Sequence, residues 1–236
     1  MKNDVNTGCA LAQVKSARYD KMCAWVHKQV GQDISVTPMV QDASNRAYYR
    51  ILFGDQSRVV MDAPPEKESV VAFVAIAEAL LSYGLKVPVI VAKDTAEGFL
   101  LLSDMGNDLY FNLLSSETAD ALYTRAFDAI IKLQGCQFVS GYEVPRFTKS
   151  KLIQELDLFE RWYLLEYLKV DLTASQRMTL SRMYKLLVDQ ALIQPQVLVH
   201  KDFHSRNLFV LDGDQVGIID FQDALIGPVT YDLMSL

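Results

Sequence analysis

Between His200 and Asp220 the chain gathers polar side chains where a pair of buried strands would favour none. Asp202 and Asn207 stand five residues apart on one loop, and Asp220 follows thirteen residues after Asn207. Segments 208–211 and 216–219 flank the turn Asp212-Gly213-Asp214 and read as a hairpin. Such a hairpin folds Asp220 back beside the loop, so that an amide oxygen and a carboxylate converge on one point. Hard oxygen donors of this kind, completed by water and by nucleotide phosphates, suit Mg2+. Asp202 would stand beside that metal pair and accept the proton of an attacking hydroxyl. A metal that neutralises phosphate charge and a carboxylate that orients the nucleophile are the working parts of phosphoryl transfer.

The elements that must position these groups are legible along the chain. A helical pattern over 10–30 ends at Gly31. Strands over 47–53 and 57–61 are joined by Gly54-Asp55-Gln56 as a hairpin. After Pro64-Pro65 an apolar helix is expected over 66–83, with Glu66 and Glu68 in its first turn to complement the helix dipole. Two more strands are expected over 87–92 and 99–102, so that the first third is a small antiparallel sheet with one helix against it. From residue 115 the pattern is helical: 115–133 closing at Gly135, a long helix over 148–169, and a helix from Thr173 to about residue 191 opened by a Thr173/Gln176 capping box. Leu152, Leu156, Phe159 and Trp162 read as core on the long helix. A short buried strand over 197–199 leads into the polar loop. The division is an N-terminal lobe over 1–103 and a helical C-terminal lobe over 104–236, with a hinge at 103–108.

Composition bounds the function. The chain has 236 residues, half of them hydrophobic and 22% charged, with a formal net charge of −6. That excludes intrinsic disorder, and it argues against nucleic-acid or anionic-membrane partners, which need a cationic surface. No apolar run approaches the roughly 20 residues of a membrane span. The three cysteines, Cys9, Cys23 and Cys136, have no metal-ligand spacing and read as reduced thiols of a cytosolic protein. Neither a P-loop nor a dinucleotide-binding glycine motif is present.

His200-x-Asp202 with Asn207, followed by Ile219-Asp220-Phe221, resembles the catalytic and metal loops of the protein-kinase-like superfamily. With His204 two residues after Asp202, it is most similar to the aminoglycoside phosphotransferase branch. Within that branch several strings resemble the anomeric sugar kinases of cell-wall recycling, which phosphorylate N-acetylmuramate and N-acetylglucosamine at the 1-position. They are Asp42-Ala43-Ser44 with Arg46, Tyr48, Tyr49 and Arg50; Met61-Asp62-Ala63-Pro64-Pro65-Glu66; 199–208; and Ile219-Asp220-Phe221-Gln222-Asp223 running on to Gly227-Pro228-Val229-Thr230-Tyr231-Asp232.

The resemblance implies an α+β bilobal kinase-like fold, ATP and Mg2+ as cofactors, and a small-molecule sugar as acceptor. It implies Asp202 as catalytic base and Asn207 and Asp220 as metal ligands. His204 either donates to the transferred phosphate or packs and caps. Ser44, Asn45 and Arg46 occupy the place of the nucleotide-covering loop, without its usual glycines. Residues 103–106 would hold the adenine ring through their backbone, at Met105 among others. Asp104 either contacts a ribose hydroxyl or is hinge surface. Asp223 and Arg206 are candidates for the acceptor side. His200 is expected to anchor the loop, Asp232 to cap it, and His27 to be partly exposed.

One departure stands out. Strand 57–61 lacks the lysine that kinases usually aim at the phosphates, so either Arg46, Arg50 or Arg58 supplies the charge or Mg2+ carries most of the neutralisation. Residues 231–236 read as the first turns of a helix, whereas related phosphotransferases continue with helices that wall the acceptor pocket. The expectation is a fragment that retains the ATP and metal apparatus, lacks part of the sugar site, and bares apolar faces at Leu158, Leu165 or Leu233. An aminoglycoside kinase and a non-catalytic nucleotide-binding module are the alternatives.

Overall fold

The structure is a computed structural model, and it describes residues 17–31, 33–39 and 45–236. The start of the expected first helix, Cys9, and the Asp42-Ala43-Ser44 string lie outside the described residues. Five strands form one antiparallel sheet in the order β1-β2-β3-β5-β4: β1 (Ser35–Pro38), β2 (Ala47–Phe53), β3 (Gln56–Asp62), β4 (Ile90–Asp94) and β5 (Phe99–Ser103). β1 was not expected. It carries no buried residue and pairs only with β2, which gives its sequence little apolar signature.

Two helices, not one, clamp this sheet. α1 (Ala17–Val30) sets Met22 and Val26 against Ile51, Val60, Phe99 and Leu101. α2 (Val71–Ser82) sets Phe73, Ile76, Ala77 and Leu80 against Val59, Met61, Leu100 and Leu102 on the opposite face. Alternate residues of a strand point to opposite faces, so β5 is buried on both and reads as an unbroken apolar run, Phe99-Leu100-Leu101-Leu102. Gly98 just before it has φ +74°, and a Cβ there would come within 1.8 Å of the Ala63 carbonyl oxygen, so only glycine lets the two segments meet.

α2 begins at Val71, later than expected. Glu66 and Glu68 lie upstream, in a turn where the N–H groups of Lys67 and Glu68 donate to the Pro64 carbonyl. They do not face the helix dipole.

The rest of the chain is mostly helical. α3 (Tyr110–Leu113) is a single turn, and α4 (Ala119–Gln134) lays Leu122, Ala126, Ile130 and Leu133 on the core. α5 (Lys149–Leu158) is capped by the Thr148 hydroxyl, which accepts from the Lys151 N–H at 3.2 Å. The expected long helix does not continue regularly. Residues Phe159–Tyr167 wind as a wide π-helix in which no residue is buried. The extra residue per turn breaks the apolar register carried by Leu152 and Leu156, leaving Phe159 and Trp162 exposed, contrary to their reading as core. Leu158 and Leu233 are exposed, as expected, and Leu165 is half-buried. α6 (Ala174–Ile193) starts with the expected Thr173/Gln176 capping box.

Two small ladders complete the structure. β6 (Gln196–Val199) pairs antiparallel with β9 (Leu225–Pro228), and β7 (Leu208–Leu211) pairs with β8 (Gln215–Ile218) as the expected hairpin. α7 (Tyr231–Ser235) follows. None of the helices among the described residues is long and apolar enough to cross a membrane.

Candidate active site

β6 delivers the chain to His200, whose ring is fully buried with its edge against Phe203. The carboxylate of Asp232, also fully buried, accepts the backbone N–H groups of His200 at 2.7 Å and Lys201 at 3.0 Å. Burial raises the Asp232 pKa to about 6 despite those two donors. His200 Nε2 lies 2.9 Å from the Ile219 carbonyl, and because a carbonyl only accepts, the proton sits on Nε2. Its Nδ1 is buried with no hydrogen-bond partner, and burial lowers the imidazole pKa to about 4. The anchoring and capping expected of these residues are thus what holds the loop.

Within the loop, the Asp202 carbonyl receives the His204 N–H at 3.0 Å and the Asn207 side-chain amide at 2.9 Å. The same Asn207 nitrogen reaches Asp220 Oδ2 at 3.4 Å. The β7–β8 hairpin makes this meeting possible, and the Ile219 N–H closes it by donating to the Asn207 carbonyl at 3.1 Å. Asp220 itself adopts φ +66°, a left-handed backbone unusual for a residue with a side chain, as does Lys201 at +81°. Asn207 is buried, Asp220 half-buried and Asp202 exposed.

Other expected site residues are placed more variously. Asp223 is exposed, just beyond Gln222. The Arg206 guanidinium stacks over the Phe111 ring at 4.4 Å. His204 is half-buried, and its Nδ1 has no partner. Asn45 is exposed, and Ser44 lies outside the described residues. Asp104 is engaged by the protein: Arg50 Nη2 donates to it at 3.0 Å, the Gly106 N–H at 2.9 Å, and the Ser57 hydroxyl also donates. Burial opposes ionisation of Asp104, and these donors outweigh it, so the carboxyl lies below its ordinary value. Arg50 also reaches Asn107 Oδ1 at 2.6 Å and the Gly106 carbonyl at 2.9 Å, which ties β2 to residues 104–107.

A cavity of about 150 Å³ lies between the sheet and the hairpin. Its apolar walls include Tyr48, Val59, Phe73, Leu102 and Phe209; Met105 and Gly106 edge it on the hinge side, and Asp220 and Phe221 also line it. Met105 packs close to β8, since a Cβ at Gly217 would meet Met105 Cε at 2.6 Å. An apolar slot with a polar strip at one edge suits a flat heterocycle.

The donor set fits a phosphate-bound Mg2+. Among the described residues no three His, Cys, Asp or Glu side chains gather to hold an ion alone. One carboxylate and one amide oxygen remain, and Mg2+ commonly takes just such a pair together with substrate phosphates and water. The Asn207 nitrogen is turned to the Asp202 carbonyl, which turns Oδ1 the other way.

Two supports were missed by sequence reasoning. Gln222 Nε2 donates to Asp220 Oδ1 at 2.6 Å, and Glu68 pairs with Arg46 at 2.8 Å. Gln222 stood in the quoted Asp220-Phe221-Gln222-Asp223 string, so the signal was adjacency. For Glu68 the available signal was the alternating stripe Arg46, Tyr48, Arg50.

Comparison with known proteins agrees with this architecture. The phosphotransferase enzyme family model matches residues 35–236. An N-acetylmuramate/N-acetylglucosamine kinase of Pseudomonas putida is 40% identical over 213 residues, covering 90% of this chain and 61% of the relative. The protein of the same name from Pseudomonas aeruginosa is 45% identical over 199 residues, covering 84% and 58%. The chain therefore spans about three fifths of the length of these relatives. Among solved structures, the ADP-bound aminoglycoside phosphotransferase APH(2'')-Ib superposes with a TM-score of 0.62 at 18% identity, over 91% of this chain and 74% of that one. Choline kinase LicA from Streptococcus pneumoniae gives 0.65 at 14% identity, over 92% and 74%. These last two share the bilobal kinase-like fold, and the family match over most of the chain adds membership: the chain belongs to the phosphotransferase enzyme family.

Proposed function

We infer that this chain carries the nucleotide and phosphate machinery of a kinase that moves the γ-phosphate of ATP to the anomeric 1-hydroxyl of N-acetylmuramate or N-acetylglucosamine. The observation that carries the reading is the meeting of Asn207 with both the Asp202 loop and Asp220, in a chain 40–45% identical to kinases named for those sugars.

In this reading the backbone at 104–106 meets the adenine edge and the apolar walls take its faces. Asn207 Oδ1 and the Asp220 carboxylate hold Mg2+, whose role when bound is to neutralise charge on the β- and γ-phosphates. Gln222 fixes the orientation of Asp220. Asp202 accepts the proton of the sugar hydroxyl as the new oxygen–phosphorus bond forms and the bond to the β-phosphate oxygen breaks, releasing ADP. Positioning and electrostatics supply most of the acceleration. The hinge at 103–108 separates the lobe that covers the nucleotide from the lobe that bears Asp202. Asp223 and Arg206 stand on the acceptor side.

The test is a panel of acceptors with Mg·ATP: N-acetylmuramate, N-acetylglucosamine, their 1-O-methyl glycosides, and an aminoglycoside, with the phosphorylated position read by phosphorus NMR. The free sugars are expected to be phosphorylated and the methyl glycosides untouched. Phosphate on a methyl glycoside would overturn the 1-position, and transfer to the aminoglycoside alone would overturn the sugar.

A further inference from the structure

β3 offers no cation to the cleft: Met61 is fully buried opposite Tyr48, and the Arg58 guanidinium lies over the Phe53 ring, donating to the Ser57 carbonyl at the turn. Yet Asp220 lines the cavity, and a polyphosphate entering it needs positive charge. The residues of β2 that face the cleft follow the strand alternation. Tyr48 lines the cavity, Arg50 on one side of it is bonded to Asp104 and Gly106, and Arg46 on the other side immediately precedes the strand. Four residue steps of extended chain run from Arg50 to Arg46, about 13 Å measured away from residues 104–106. A nucleotide with its base at the hinge and its phosphates pointing outward spans that direction.

Arg46 is buried, and its Nη2 lies 2.8 Å from Glu68 Oε2, on the turn that leads into α2. α2 in turn reaches the metal loop, since the Phe73 ring packs on Phe221 at 4.8 Å, next to Asp220. A guanidinium is a planar fork that binds phosphate oxygens in pairs, and a carboxylate behind it fixes its plane.

We propose that Arg46 is the cation that receives the nucleotide's phosphates in place of a strand lysine, and that Glu68 is its positioning residue. The proposal rests on the reading that the cleft takes ATP, but not on which sugar accepts the phosphate. Its test is binding by titration calorimetry on the whole chain, comparing Mg·ATP with adenosine, which shares the base and lacks the phosphates.

Arg46→Ala is expected to weaken Mg·ATP binding by about tenfold to a hundredfold, as for loss of a charge-assisted hydrogen bond, and to leave adenosine within about twofold. Arg46→Lys should recover part of the loss, and Glu68→Gln should give a smaller loss confined to Mg·ATP. Unchanged Mg·ATP affinity in Arg46→Ala, or an equal loss for adenosine, overturns the proposal, the second outcome marking a purely structural ion pair. A parent chain that binds neither ligand overturns the kinase reading along with it. A parent chain that binds Mg·ATP and phosphorylates no sugar overturns only the acceptor assignment, and the Arg46 comparison still decides this one.

Discussion

Asn207 donates through one side-chain nitrogen to the Asp202 carbonyl at 2.9 Å while lying 3.4 Å from the Asp220 carboxylate, so one amide ties the two ends of the hairpin into a single cluster. Gln222 holds the other Asp220 oxygen at 2.6 Å. Outer partners of metal ligands tune affinity by orienting them, at a cost of about 10–100-fold when removed. On the proposal that Asp220 holds Mg2+, Gln222→Ala is expected to raise the Mg2+ concentration needed for half-maximal nucleotide binding by that factor, while adenosine binds as before. A Mg2+ titration that does not move would show that Gln222 does not position a metal ligand.

Asp202 has its backbone carbonyl fixed by two donors, and the residue is exposed. In the proposed function Asp202 is the general base, and such a base contributes about 10²–10⁴ to rate. Asp202→Asn should lower turnover by that range with nucleotide affinity within a few-fold. Turnover near that of the parent would show that the hydroxyl proton leaves by another route.

Asp232 satisfies the His200 and Lys201 amides in a fully buried setting. Truncation to Ala leaves two donors without an acceptor, at about 1–3 kcal/mol each. Removing a carboxyl whose pKa burial has raised to about 6 offsets part of this. The net expectation is a loss of about 2–4 kcal/mol in urea unfolding, with Asp232→Asn losing less because its amide oxygen still accepts. Equal stability of Asp232→Ala and the parent would show that the loop does not depend on its cap.

His200 sets a pH dependence. Its folded pKa, lowered to about 4 by burial, lies below the ordinary 6.5, so the unfolded chain takes up the proton first as the pH falls. The stability it contributes is complete above about pH 6.5 and is lost progressively toward pH 4, by about 2 kcal/mol between pH 6.5 and 5. Asp232, with its pKa raised, works in the opposite sense, gaining stability as the pH falls through about 6. Comparing the parent with His200→Gln cancels that contribution. Unfolding free energies from pH 7.5 to 5 should fall more steeply in the parent, and parallel curves would place the acid sensitivity elsewhere.

Local signals carried far in this protein. The capping box at Thr173, the hairpin around Gly213 and the α+β order of elements depend on short-range geometry, and each is legible from neighbouring residues. The polar residues of the loop could also be singled out, because Asp202, Asn207 and Asp220 are polar where a strand pair excludes polarity.

What neighbours along the chain do not reveal is which distant surface a side chain meets. The same periodicity that marked Phe159 and Trp162 as core holds only while the helix keeps its pitch, and the π-turns after Leu158 end that. Glu68 carried the composition of a helix start and instead found Arg46, 22 residues away, because α2 begins later and the turn after Pro64 swings back to the sheet. Residue types and their order showed the kinds of groups available and most of the elements that bear them, β1 and the π-helix excepted. Partners were set by the packed fold, since hydrogen bonds and ion pairs are fixed by distances across it: Arg50 went to Asp104, Arg58 to the Ser57 carbonyl, and Arg46 to Glu68.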